Sequence, residues 1–335
     1  MDLTTRYMGL DLKNPLVASA SPLTGNLDDI RRLEDAGAAA IVLPSLFEER
    51  IESDARTHEV LTATGLESSP EARSYFPASE GPGPDQYLDL IRRTITAVDI
   101  PIVASLNGTT DEGWTGYAKL IEQAGAAALE LNVYFIPTDI DLTGGDVEQT
   151  YLEVLRQVRQ TVALPLAIKL GPYFSSIGQI AAQFASAGAD ALVLFNRFYQ
   201  PDIDLAQLRL RNDLQLSSSS EIGLPLLWIA LLCGRVDASL AASTGVEDPE
   251  QVLKYLLAGA DAVMTTAALL RHGPQHMKTL LTGMSSWLSA RDIESLDEIR
   301  GLLSQHRFTN PNSFGRASYV KMLQDYATLH PHGAV

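Results

Sequence analysis

Ala187-Gly188-Ala189-Asp190-Ala191 and Ala258-Gly259-Ala260-Asp261-Ala262 are two copies of one phrase. Ala36-Gly37-Ala38-Ala39-Ala40 and Ala124-Gly125-Ala126-Ala127-Ala128 repeat it with Ala in the fourth place. Each copy follows a stretch with helical spacing and leads into a short apolar run. The glycine reads as a helix stop, because it takes the left-handed geometry that a Cβ disfavours. The alanines then let the chain turn tightly into a buried strand. Helix, glycine stop and apolar strand, recurring around one chain, is the pattern of βα units and a parallel sheet.

Working outward from the repeat gives eight strands. Strand one is Leu16 to Ala20, strand two Ala40 to Leu43, strand three Ile102 to Leu106 and strand four Ala127 to Asn132. Strand five is Leu166 to Leu170, strand six Ala191 to Phe195, strand seven Ala238 to Ala242 and strand eight Ala262 to Thr265. Helical patterns lie between them. One opens at Asn26, an N-cap followed by Asp28 and Asp29, and another has Pro249 in its first turn. Eight such units predict an α/β fold, a (β/α)8 TIM barrel, as one domain over residues 1–335; a doubly wound sheet is the rival. Three segments depart from the rhythm. Residues 44–84 form a long polar excursion after strand two, expected over the strand ends as a lid or partner surface. Residues 197–223 form a loop insertion expected to be irregular, and residues 274–326 a helical tail.

Composition narrows the partners. Asp and Glu number 41 against 25 Lys and Arg, a net charge of −16, so no nucleic-acid surface is expected. The lone Cys233 leaves no internal disulfide framework and fits a reducing, cytoplasmic setting. Met1 to Gly9 has no apolar signal core, and Leu224 to Cys233 is too short to span a membrane. The six histidines show no metal spacing, so no metal site is expected; His272 and His276 read as a solvated helix face.

Barrels work at the C-terminal ends of their strands, and here those ends are polar. Strand four ends in Glu130-Leu131-Asn132, strand five carries Lys169, and strand six is followed by Asn196. Strand seven is followed by Ser243-Thr244-Gly245, and strand eight ends in Thr265-Thr266. Lys169 is the sharpest of these, a cation in the apolar run Pro165-Leu166-Ala167-Ile168-Lys169-Leu170. Burying it costs several kcal/mol, on the order of a desolvated ion, unless an anion answers it. Two answers are open: Glu130, on the neighbouring strand, or an anionic ligand at the barrel mouth. Asn132 and Asn196 suit contacts to a planar heterocycle, or loop caps. The turns at Ser243, Thr244 and Gly245 and at Thr265 and Thr266 suit a phosphate, or ordinary helix caps.

These strand ends resemble one family. Asn14-Pro15-Leu16-Val17 with Ala18-Ser19-Ala20, Ala104-Ser105-Leu106-Asn107-Gly108, Leu129-Glu130-Leu131-Asn132 and Leu166 to Tyr173 are similar to the class 1 dihydroorotate dehydrogenases, FMN-containing barrels, over nearly the whole chain. The resemblance implies FMN across the barrel mouth, with Ala20, Asn107, Asn132, Lys169 and Asn196 along the ring and Ser243, Thr244, Gly245, Thr265 and Thr266 at the phosphate. It implies oxidation of dihydroorotate or a related small CH–CH substrate by hydride transfer to flavin, and a homo-oligomer or a partner redox subunit. There are departures. Leu43-Pro44-Ser45 stands where the family has a Lys, and the family's substrate motif has no match among Ala55 to Pro77. The family's catalytic Cys and orotate-holding Asn fall at Phe135 and Pro137. A Phe removes no proton, which leaves Tyr134 as the nearby replacement base. The alternative is a diverged barrel that binds FMN or a partner subunit without dihydroorotate turnover.

Overall fold

All four phrases end their helices in the same way. The first alanine after each glycine sends its N–H back five residues: Ala38 to Leu33, Ala126 to Ile121, Ala189 to Phe184 and Ala260 to Tyr255, at 2.9–3.4 Å. The glycines Gly37, Gly125, Gly188 and Gly259 all have φ between +95° and +118°. The fourth residue then leads into the next strand. Ala39, Ala127, Asp190 and Asp261 each donate to a carbonyl of the preceding strand, on Leu16, Ile102, Leu166 and Leu240, all at 2.8 Å. Where that residue is Asp, its carboxylate also accepts the N–H of the same Leu166 or Leu240 at 2.8 Å. Arg159 and Arg300 face these two carboxylates. The phrase is therefore a helix stop and a strand-registration device in five residues.

The computed structural model describes residues 1–50, 83–108, 111–197, 200–211, 215–307, 314 and 316–329. A hairpin of β1 (Thr5–Tyr7) and β2 (Leu10–Leu12) comes first. The barrel strands are β3 (Leu16–Ala18), β4 (Ala40–Phe47), β5 (Ile102–Asn107), β6 (Ala128–Asn132), β7 (Leu166–Leu170), β8 (Ala191–Leu194), β11 (Ser239–Ala242) and β12 (Ala262–Thr265). They close into one parallel barrel in chain order, with β12 paired to β3 and β8 to β11. Helices α1 (Leu27–Asp35), α2 (Pro84–Ile95), α3 (Asp111–Ala124), α4 (Gly144–Thr161), α5 (Ile177–Ser186), α6 (Gly223–Leu232) and α7 (Pro249–Ala258) form the outer layer. The expected (β/α)8 barrel is the observed fold, not the doubly wound sheet.

Inside the barrel, small residues such as Val17, Val42, Val103, Ala128, Ala167 and Ala241 form one buried cluster. Tyr7, Met8 and Leu12 of the hairpin belong to it. The hairpin plugs the N-terminal mouth, because Met8 N–H donates to Ser239 Oγ at the first residue of β11. The sequence reading missed this plug. The expected irregular insertion holds a second hairpin, β9 (Asp202–Asp204) with β10 (Arg209–Arg211), and a 3-10 turn over Ser219–Ile222. Strand two runs on to Phe47 instead of stopping at Leu43. Most of the excursion expected from residue 44, including Ala55 to Pro77, lies outside the described residues. After α8 (Ala267–His272) come α9 (His276–Ser289) and α10 (Arg316–Leu329).

A Cβ on Gly259 would sit 2.3 Å from Cys233 Sγ, at φ +118°. Gly259→Ala should cost about 2–5 kcal/mol, the sum of left-handed strain and overpacking. Gly116, in α3, has open space around it and ordinary φ. Gly116→Ala should stabilise by about 0.5–1 kcal/mol. Urea unfolding of both variants checks the pair.

Candidate active site

The strand period places the charged residues. Ala128 and Ala167 face the barrel interior, so Glu130, Asn132 and Lys169 share that side at successive heights. Parallel pairing sets Glu130 beside Ala167 and Asn132 beside Lys169. Lys169 Nζ lies 3.8 Å from Glu130 Oε1. That is an ion contact and too long for a hydrogen bond. The Lys169 side chain is 12% exposed and that of Glu130 is 1% exposed. Neither Glu130 oxygen has a hydrogen-bond partner among the described residues. Burial pushes the Glu130 carboxyl above the usual carboxylate range, and Lys169 pulls it back. Of the two answers to the buried lysine, the glutamate is in place, and Lys169 still reaches the mouth.

That mouth is a cleft of about 730 Å³. Lys169, Tyr134, Ala20, Asn196, Ser243, Thr244, Gly245, Thr265 and Thr266 line it. Asn107 and Asn132 are not among the lining residues. Asn132 joins through its neighbour: Asn196 Nδ2 donates to Asn132 Oδ1 at 2.6 Å, which ties β6 to the turn after β8. Asn107 pairs with Asn132 in the β5–β6 ladder.

The turns after β11 and β12 have a definite polarity. Ser243 Oγ and Thr244 Oγ1 both donate to the Phe195 carbonyl, at 2.8 and 3.1 Å. Thr265 Oγ1 donates to the Val246 carbonyl at 3.0 Å. These hydroxyl protons are spent on the backbone, so they shape the turns rather than grip an anion. Thr266 Oγ1 makes no hydrogen bond to a described residue and lines the cleft. Thr244 and Gly245 have φ of +81° and +71°. The Gly245 N–H reaches Ser217 Oγ at 3.3 Å, and a Cβ there would meet Ile222 and the Ser218 carbonyl within 3 Å.

The sequence departures have structural counterparts. Leu43 is fully buried in the layer between strands and helices. Phe135 also packs against that outer core, while the preceding Tyr134 lines the cleft. Pro137 is exposed. Sequence reasoning overlooked Arg197, Ser19, Ser21 and Ser217, all in the cleft wall. Arg197 directly follows Asn196, and that adjacency was the available signal. Among the described residues there is no cluster suited to a metal ion, and no helix is long and apolar enough to cross a membrane.

Lys169→Met would leave Glu130 buried without its cation. A carboxyl whose folded pKa lies above its unfolded value adds stability while protonated and loses it as pH rises. The variant should therefore approach wild-type stability near about pH 5 and fall about 3–5 kcal/mol below it by about pH 8. Lys169→Met with Glu130→Gln should flatten that slope. Thermal unfolding across this range measures both.

No protein-family model matches the chain. Curated relatives do. The chain is 26% identical over 308 residues to the dihydroorotate dehydrogenase B (NAD(+)) catalytic subunit of Methanothermobacter thermautotrophicus, covering 90% of this chain and 98% of that protein. It is 24% identical over 313 residues to the subunit of the same name from Petrotoga mobilis, covering 90% and 100%. It is 24% identical over 322 residues to the NAD-dependent dihydropyrimidine dehydrogenase subunit PreA of Escherichia coli, covering 91% and 77%.

Proposed function

We propose that this chain, a relative of the dihydroorotate dehydrogenases across nine tenths of its length, is an FMN-dependent dehydrogenase of small dihydropyrimidines, acting on dihydroorotate or a close analogue. The resemblance read from its strand ends is borne out by those relatives. It is an oxidoreductase acting on CH–CH donors, as its relatives are. A barrel without turnover finds no support among relatives named as dehydrogenases. Two of these relatives are named catalytic subunits, which supports a partner redox subunit here. The cytoplasm is the setting this reading implies.

The observation that carries the reading is Lys169 at the floor of the cleft, its charge backed by Glu130 at 3.8 Å. The residues fit FMN in kind. A buried cation with an orphaned carboxylate beneath it suits a ring that becomes anionic. At the other side of the cleft the uncommitted Thr266 hydroxyl suits a phosphate. When bound, FMN supplies the acceptor for a hydride. Lys169 holds a fixed positive charge against negative charge that develops above it, a preorganised electrostatic contribution. Asn196, tied to Asn132 through its N–H, keeps Oδ1 as an acceptor and orients a ring N–H. Asn132 and, through the ladder, Asn107 hold Asn196 in place. Ala20 keeps the wall thin beside the ring. The turns at Ser243, Thr244, Gly245 and Thr265 set the shape of the phosphate end. Tyr134, the side chain at the mouth where Phe135 turns away, takes the substrate proton.

Protein purified without added cofactor should be yellow, and anaerobic dihydroorotate should bleach it. Colourless protein that takes up no FMN would overturn the reading. Tyr134→Phe should slow the bleaching about 10²–10⁴-fold, the usual worth of a general base, with flavin content unchanged. Stopped-flow absorbance on the loaded protein measures this.

A further inference from the structure

The cleft wall carries a second cation that the reading above does not use. Arg197 follows Asn196 directly and lines the cleft. Its Nε lies 3.1 Å from Glu221 Oε2, and the two side chains are 32% and 34% exposed. Glu221 is itself pinned, because its other oxygen accepts the Ser218 N–H at 2.9 Å. The carboxylate thus grips the edge of the guanidinium and sets its plane. The two terminal nitrogens make no hydrogen bond to a described residue. Those nitrogens are the donors that take a carboxylate in two parallel bonds. As a surface ion pair alone, this contact would be worth little.

We infer that Arg197 is a specificity residue that commits this cleft to a pyrimidine bearing a carboxylate, in preference to a neutral pyrimidine. This rests on the dehydrogenase reading, which leaves both substrate classes open. The structure favours the anionic one. Glu221 meets Arg197 at Nε alone, and the guanidinium that keeps its two terminal nitrogens for a ligand lines the cleft beside Lys169. Arg197 meets a carboxylate with a full charge and a planar pair of donors. The same fork could instead take the phosphate of a cofactor, since both are anionic oxygen groups, and the test separates them.

Orotate and uracil share a ring and differ in the carboxylate. Calorimetric titration of each into the flavin-loaded protein should show orotate binding about 10–100-fold more tightly, the range of a charged hydrogen-bonded contact. Arg197→Gln should bring the two within about threefold by weakening orotate alone, and Arg197→Lys should recover only part of the difference, lacking the planar fork. Equal binding of both rings to wild type, or a preference that survives Arg197→Gln, overturns the inference and leaves the dehydrogenase reading standing. Arg197→Gln protein that sheds flavin but keeps the orotate preference overturns it too, and assigns the fork to the phosphate. Protein that binds neither ring overturns the inference and the pyrimidine reading together. Should Arg197→Gln fail to fold, Glu221→Gln keeps the charge but frees its orientation. It should weaken orotate severalfold and spare uracil, and unchanged orotate binding would overturn the inference.

Discussion

A lysine and a glutamate face each other inside a closed barrel, 3.8 Å apart, with almost no access to water. Neither charge could stay there alone, since removing an ion from water costs more than packing around it returns. The pair sets a constraint on everything above it. Glu130 is buried and neither of its oxygens has a hydrogen-bond partner among the described residues, so its charge is answered by Lys169 rather than by hydrogen bonds. Lys169 compensates it incompletely and remains partly open to the mouth. The arrangement has a structural role, as an internal ion pair, and a chemical one, as a pre-positioned cation that need not reorganise when negative charge arrives.

The rest of the barrel keeps that pair dry and in register. Tyr7, Met8 and Leu12 close the opposite mouth. Strand register is fixed by the four glycine stops, where a helix end and a strand start share five residues. The two copies with Asp in the fourth place do more than the two with Ala. Asp190 and Asp261 each hold an N–H at the start of the preceding strand, Leu166 and Leu240, and recruit an arginine from outside. Burial pushes the Asp261 carboxyl upward, against the Leu240 N–H and Arg300. These junctions flank the strands that carry Lys169 and the Ser243 turn.

Around the cleft, side-chain direction decides chemistry more than residue type does. Phe135 turns into the layer under the helices and Tyr134 to the mouth, although both follow the same strand. Ser243, Thr244 and Thr265 look like anion ligands by composition, yet they donate to carbonyls and brace the turns. Arg197 and Glu221 stand 24 residues apart and meet across the β9–β10 insertion.

The barrel was written in the sequence because its signals are local. A glycine stop, an alanine turn and an apolar run act within one βα unit, and eight of them fix the count and order of strands. Lys169 was equally legible, since a cation in an apolar strand demands an explanation wherever the strand lies. The hairpin plug escaped notice because three-residue strands carry too little periodicity to register. What only the folded chain decided was which side chains share a space: that Glu130 answers Lys169, that Asn196 leans on Asn132, and that Glu221 orients Arg197. Those contacts join residues tens of positions apart, and their geometry follows from barrel closure and strand stagger, quantities that no stretch of sequence encodes by itself.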